Sequence, residues 1–223
     1  MNSPMRLRRL STLLALCAAL LTLCACQKTE EPPAAVSTST TQGTAPADDA
    51  KTLRFVDAAG TTQLTLNPSQ MEARFGTGDQ ARTLRAESAD GDKRKYVRTG
   101  EGVVMEVKAG DDGFKLRSRD SHLLWKLKLK DKGIKISDNE ENARPVALKI
   151  KGNDIEISDN DKPLGTVSFD GDKSRAKITD ATGKTVGTVQ AHKISAAFAL
   201  PLATRIPESE RAVLALELLA RGL

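Results

Sequence analysis

From Leu53 onward, apolar and polar residues alternate in short runs, and the runs are punctuated by glycine, aspartate and asparagine. Alternation with period two is the pattern of a strand with one buried face. Glycines from Gly60 through Gly76, Gly100, Gly113, Gly133 and Gly152 to Gly183 mark turns at the spacing of roughly a dozen strands. The runs also repeat one another. LRFVDAAGTTQLTL from Leu53, FKLRSRDSHLLWKL from Phe114, IEISDNDKPLGTV from Ile155 and AKITDATGKTVGTV from Ala176 share one template, an alternating strand, a turn and a second alternating strand. IKISDNEENARPVALKI from Ile134 is the same unit with a longer loop. Each unit predicts a β-hairpin, with Asp57, Asp138, Asp159 and Asp180 placed to accept backbone N–H bonds in the turns. The expected fold is mainly β, an antiparallel repeated-hairpin barrel of about a dozen strands, closed so that no edge is exposed.

The rhythm changes after Ile206. PESERAVLALELLARG places Pro207 at a first turn, Glu208 and Glu210 at the positive end of a helix dipole, Arg221 in the last turn and Gly222 as a stop. The punctuation predicts a helix over about 207–221. Between Ala212 and Ala220 only Glu217 is polar. A helix apolar nearly all round is enclosed by protein, and the run is far short of the roughly 20 residues of a membrane span. The barrel is therefore expected to surround this helix or pack against it.

The first nine residues carry Arg6, Arg8 and Arg9 without an acid, and an apolar stretch follows from Leu10 to Ala25. That is the layout of a secretory signal. Its end, LCAC, resembles the lipobox of bacterial lipoproteins, with Leu23 three residues before Cys26 and the small Ala25 just before it. The resemblance implies cleavage before Cys26, lipidation of its thiol and acylation of its amino group. Several acyl chains anchor stably, at ~0.8 kcal/mol per buried CH₂. Gln27, where inner-membrane lipoproteins often carry Asp, implies the outer membrane, facing the periplasm. The expected organisation is a signal peptide over 1–25, a lipidated cysteine and tether over 26–51, and a barrel domain over 52–223. The tether, rich in Pro, Ser, Thr and Ala, is a flexible coil that averages roughly 25–30 Å end to end.

Removing the signal changes the charge picture. The whole chain has 34 basic and 29 acidic residues, and the three early arginines leave 31 against 29 after Cys26, a net of +2. No overall positive field then favours nucleic acid as a partner. All three cysteines lie at or before Cys26, which leaves the domain without thiols for disulfides, zinc sites or nucleophiles.

The consecutive hairpins IEISDNDKPLGTV and AKITDATGKTVGTV, the alternating strand KISAAFAL and the closing helix AVLALELLA resemble the tubby-like superfamily, which includes phospholipid scramblases and LURP-one-type proteins. The resemblance runs over about Leu53 to Ala220. It implies a closed antiparallel barrel around a C-terminal helix, and a binding module, in several members for lipid headgroups, more often than an enzyme. No ligand residue carries over from the superfamily.

The sharpest local feature is the hairpin from Phe114 to Lys130. Leu123, Trp125, Leu127 and Leu129 share one face, with Trp125 expected in the core, and Lys126, Lys128 and Lys130 share the other. On the preceding strand Lys115, Arg117 and Arg119 point outward, facing those lysines if the strands pair through a turn at Asp120 to His122. Lys135, Lys149 and Lys151 extend the set onto the next strands. Like charges opposite one another cost up to ~1 kcal/mol per pair, and a phosphate-bearing headgroup would relieve the repulsion. A solvated lysine face compensated by acids from neighbouring loops is the alternative. His122 and His192 stand outside metal or nucleophile spacings, and the acid pairs Asp111–Asp112, Asp159–Asp161 and Asp170–Asp172 read as turns. GTG at Gly76–Gly78 lacks the context of a phosphate loop. No cofactor motif is present. Three functions follow as expectations: a non-enzymatic, membrane-tethered module binding an anionic headgroup or other envelope component, an accessory lipoprotein docking a partner protein, and, least favoured, a hydrolase.

Overall fold

The computed structural model describes residues 52–90 and 92–223. The signal peptide, Cys26 and the tether lie outside the described residues. The alternating runs form β1 (Leu53–Asp57), β2 (Thr62–Asn67), β3 (Glu72–Phe75), β4 (Arg82–Asp90), β5 (Lys93–Arg98), β6 (Gly102–Gly110) and β7 (Gly113–Ser118). They continue as β8 (Leu123–Lys130), β9 (Gly133–Ser137), β10 (Val146–Lys151), β11 (Asp154–Asp159), β12 (Lys162–Asp170), β13 (Arg175–Asp180) and β14 (Thr185–Gln190). Each strand pairs antiparallel with its sequence neighbours, and β1 pairs with β14 to close a barrel of 14 strands. All five hairpins of the repeated template are present as adjacent pairs, including the long-looped β9–β10.

Closure follows from the pattern. Alternate residues face inward, so that Leu66, Ala73 and Leu84 are successive partners on β2, β3 and β4 and all are fully buried. The layer Ile134, Leu148 and Ile157 does the same on β9, β10 and β11. Register shifts interrupt six strand pairs and bend them into the curve a closed sheet needs. Charged side chains point outward and apolar ones inward, the reverse of a barrel whose outer band faces lipid. No helix among the described residues is long and apolar enough to cross a membrane.

Because neighbouring strands run antiparallel, the barrel has two distinct ends. The leading end holds the start of β1 at Leu53 and the turns β2–β3, β4–β5, β6–β7 and β8–β9. The far end holds turns such as β5–β6 and β7–β8 and the β9–β10 loop. After β14 the chain turns into the lumen. Here the expected strand KISAAFAL is overturned: Ser195 accepts a hydrogen bond from Ala197 N–H at 3.2 Å and starts a 3₁₀ helix over Ala196–Leu202. The sheet is already closed and offers no edge for another strand, and Ala196 to Leu200 are all buried, with no solvent face to alternate with.

At the far end Arg205 locks the turn. Its guanidinium lies 3.2 Å from Asp159, 3.4 Å from Asp138 and 5.4 Å from the Trp125 ring centre, and donates to the Arg144 carbonyl at 3.1 Å. Asp138 and Asp159 thus serve Arg205, whereas Asp57 and Asp180 cap backbone N–H groups in their turns as the sequence predicts. α1 (Glu208–Ala220) then runs back toward the leading end. Ala212 to Leu218 are buried on every face, which requires the barrel to enclose the helix. Burying Val213, Leu214, Leu216 and Leu218 contributes about 1.5–3 kcal/mol each. Gly222, at φ +74°, ends the helix, and the Ser195 hydroxyl donates to the Leu223 carbonyl.

Candidate functional site

The strand register gathers lysines that the sequence scatters. Lys93, Lys108, Lys115 and Lys126 are successive cross-strand partners on β5, β6, β7 and β8. They form one outward row, and Lys128 and Lys135 make a further like-charged pair between β8 and β9. A cavity of about 210 Å³ lies over the row, lined by Lys108, Asp112, Lys115, Arg117 and Lys126 among others.

The row is partly neutralised by the β9–β10 loop. Ser137 and Asn139 brace that loop from within: Ser137 donates to Asn142, and the Asn139 side chain exchanges bonds with both backbone groups of Ala143 at 2.8 and 3.0 Å. The braced loop delivers Glu140 onto the sheet. Its carboxylate lies 2.8 Å from Lys115, 3.1 Å from Lys126 and 3.8 Å from Arg117, and its carbonyl accepts from Lys126 at 2.6 Å. The Lys115 and Lys126 ammonium groups hold the Glu140 carboxyl below its ordinary pKa, and Lys128, 3.2 Å away, does the same to Asp112. Lys108 lies 3.9 Å from Asp92. One loop acid therefore serves three cations, and the row keeps an excess of positive charge.

The residues singled out in the sequence do not form one cluster. Lys115, Arg117 and Lys126 meet around Glu140, and Lys128 lies beside them. Arg117 stands opposite Leu123 rather than a cation, and without the register shift between Leu116 and Arg117 its partner would be Leu124. Arg119 is in the far-end turn, 3.8 Å from Asp120, and so does not face the lysines of β8. Lys130 is opposite Gly133 at the leading end. Lys149 and Lys151 are on β10, where Glu156 of β11 is the partner of Lys149 and lies 2.6 Å from Lys151. Lys93 and Lys108 escaped the sequence reading because they belong to other hairpins. Their signal was the outward parity of KRKYVR and VVMEVKAG.

Inside the barrel a second constellation surrounds Glu217, the lone polar residue of the enclosed helix. Its carboxylate accepts from the Tyr96 hydroxyl and from Arg94, both at 2.7 Å, and from Arg221 at 3.2 Å. Burial, and then the Glu217 charge, push the Tyr96 phenol well above its ordinary pKa. At the other end of α1, Trp125 is in the core as expected, and its indole N–H donates to Glu210. A concavity of about 560 Å³ lies over β1–β3 and is lined by groups including Gln63, Thr65, Glu72, Arg74 and Gly76–Gly78. Among the described residues no three His, Cys, Asp or Glu side chains gather as metal ligands.

No protein-family model matches the chain, and comparison with curated proteins and with solved structures gives no match.

Proposed function

We propose that this protein is a lipid-anchored, non-enzymatic barrel of the bacterial envelope, facing the periplasm from the outer membrane, that binds anionic lipid headgroups through its lysine row. The observation that carries the reading is the placement of Lys93, Lys108, Lys115 and Lys126 as consecutive partners on four adjacent strands. A protein gains nothing in stability from such a row, whereas an anionic surface meets it with counter-charge worth about 1 kcal/mol per lysine. With a net of only +2 after Cys26, attraction to anions must be local, and this face concentrates it. The row sits nearer the leading end, where the chain from Cys26 joins β1. The anchor and the relation to the tubby-like superfamily rest on sequence patterns.

The test is sedimentation of residues 52–223 with phosphatidylglycerol vesicles at low salt. Replacing Lys108, Lys115 and Lys126 together by Gln is expected to weaken binding about 100-fold, three contributions of about 1 kcal/mol. Binding unchanged by the triple replacement, or absent from the unaltered barrel, defeats the reading. The concavity over β1–β3 favours a second reading, docking of an envelope protein on that side. Crosslinking from Thr65 that captures one specific protein, independently of the three lysines, supports it.

A further inference from the structure

The mouth of the barrel at its leading end holds more positive charge than its structure needs. A cavity of about 240 Å³ opens there, lined by Lys93, Arg94, Arg221, Asp92 and Glu217 over an apolar strip that includes Val107 and Ala220. Glu217 has no exposed surface, and Arg94 and Arg221 both bind it. One guanidinium neutralises a carboxylate, so the second leaves the trio at +1. Asp92 lies 3.9 Å from Lys108, so its charge is shared with the outer face.

The geometry points to the Arg94–Arg221 mouth as a binding site for a phosphate group. Each guanidinium has five N–H donors, and each gives one nitrogen to Glu217. Their side chains stay 28% and 31% exposed, which leaves donors for the cavity. Their orientation is fixed beforehand. Glu217 holds both, and Arg221 also lies 4.9 Å over the Phe114 ring. A phosphate group presents several oxygens in a tetrahedron and can accept from two forks and from Lys93, whereas a planar carboxylate is satisfied by one fork. The apolar strip accommodates the organic part of an ester. This site opens at the mouth and shares Lys93 with the end of the lysine row, but it is built on Arg94 and Arg221 and does not rest on the function proposed for that row.

The test uses the full chain in a non-ionic detergent, with sodium phosphate compared against sodium chloride at equal ionic strength. Phosphate at 100 times its dissociation constant is expected to raise the unfolding midpoint by roughly 5 °C or more. Arg221→Lys keeps the charge, loses the fork and is expected to weaken phosphate binding about tenfold. Because Arg221 is at the exposed end of α1, this variant keeps the core. Lys108→Gln with Lys126→Gln, on the outer face, is expected to leave the phosphate effect intact. Absence of a phosphate-specific shift, or an equal shift in Arg221→Lys, overturns the proposal. Vesicles of phosphatidylcholine with and without phosphatidic acid separate the sources. Sedimentation lost in Arg221→Lys assigns a lipid headgroup, and sedimentation independent of Arg221 beside an Arg221-dependent phosphate shift assigns a soluble phosphate ester.

Discussion

Glu217 shows how a single side chain is tolerated in an apolar lumen. A buried carboxylate costs several kcal/mol unless charged donors reach it, and here Arg94, Arg221 and Tyr96 do. The partners are not equivalent. Without Glu217 the arginines relax toward solvent at the mouth, whereas without Arg94 the carboxylate stays buried. Arg94→Met is therefore expected to cost about 3 kcal/mol in urea unfolding and Glu217→Gln only about 1–2. Equal costs would contradict that asymmetry. Glu217 stood out in the sequence as the one polar residue from Ala212 to Ala220. Its partners Arg94 and Tyr96 did not, since they lie 123 and 121 residues away and only the closed register brings them near. Glu210 gives a second residue-scale prediction. Burial raises its carboxyl above the ordinary value, opposed by the Trp125 bond, so the buried charge weakens the fold as pH rises from the unfolded value through the folded one. Glu210→Gln should thus raise the thermal midpoint at neutral pH and leave it unchanged at about pH 3.

At the scale of elements, the hairpins were legible because period-two alternation survives translation into a sheet unchanged. KISAAFAL alternates too, with Ile194, Ala196, Phe198 and Leu200, and this misled the sequence reading. What excludes a strand there is global: β1 and β14 have already closed the ring. The lumen also makes demands that alternation does not show. Gly165 faces inward beside the 3₁₀ helix at φ +153°, and a Cβ there would lie 2.0 Å from the Thr179 carbonyl oxygen and 3.0 Å from a Leu202 methyl. Gly165→Ala is expected to cost about 2–3 kcal/mol in chemical denaturation, and a loss below about 0.5 would show that the lumen has slack. The β9–β10 loop is the other element whose role was hidden. Its length was visible, but its fold over β8, which puts Glu140 among the lysines, depends on the Asn139 bracing.

At the scale of the whole molecule, carboxylates held by lysines and by turn hydrogen-bond donors make the outer face a source of acid sensitivity. Asp57, bonded to Thr61 N–H and Gln63, Asp112 and Glu140 against lysines, Asp170 with Lys173 and Asp180 with Thr182 all have depressed carboxyl pKa values. Their contribution is present above the ordinary values of 3.8 and 4.5 and is lost as pH falls through the folded values. The unfolding midpoint should fall progressively below about pH 4, with the decline reduced in Glu140→Gln. The same residue provides the most direct measurement of the central claim, that the lysine row is a surface for anions. Glu140→Gln removes the carboxylate shared by Lys115, Arg117 and Lys126 and leaves those cations in place. Sedimentation of the Glu140→Gln barrel with phosphatidylglycerol vesicles at low salt is predicted to be about fivefold tighter than that of the unaltered barrel, from one like-charge repulsion removed. Equal or weaker binding would contradict the account.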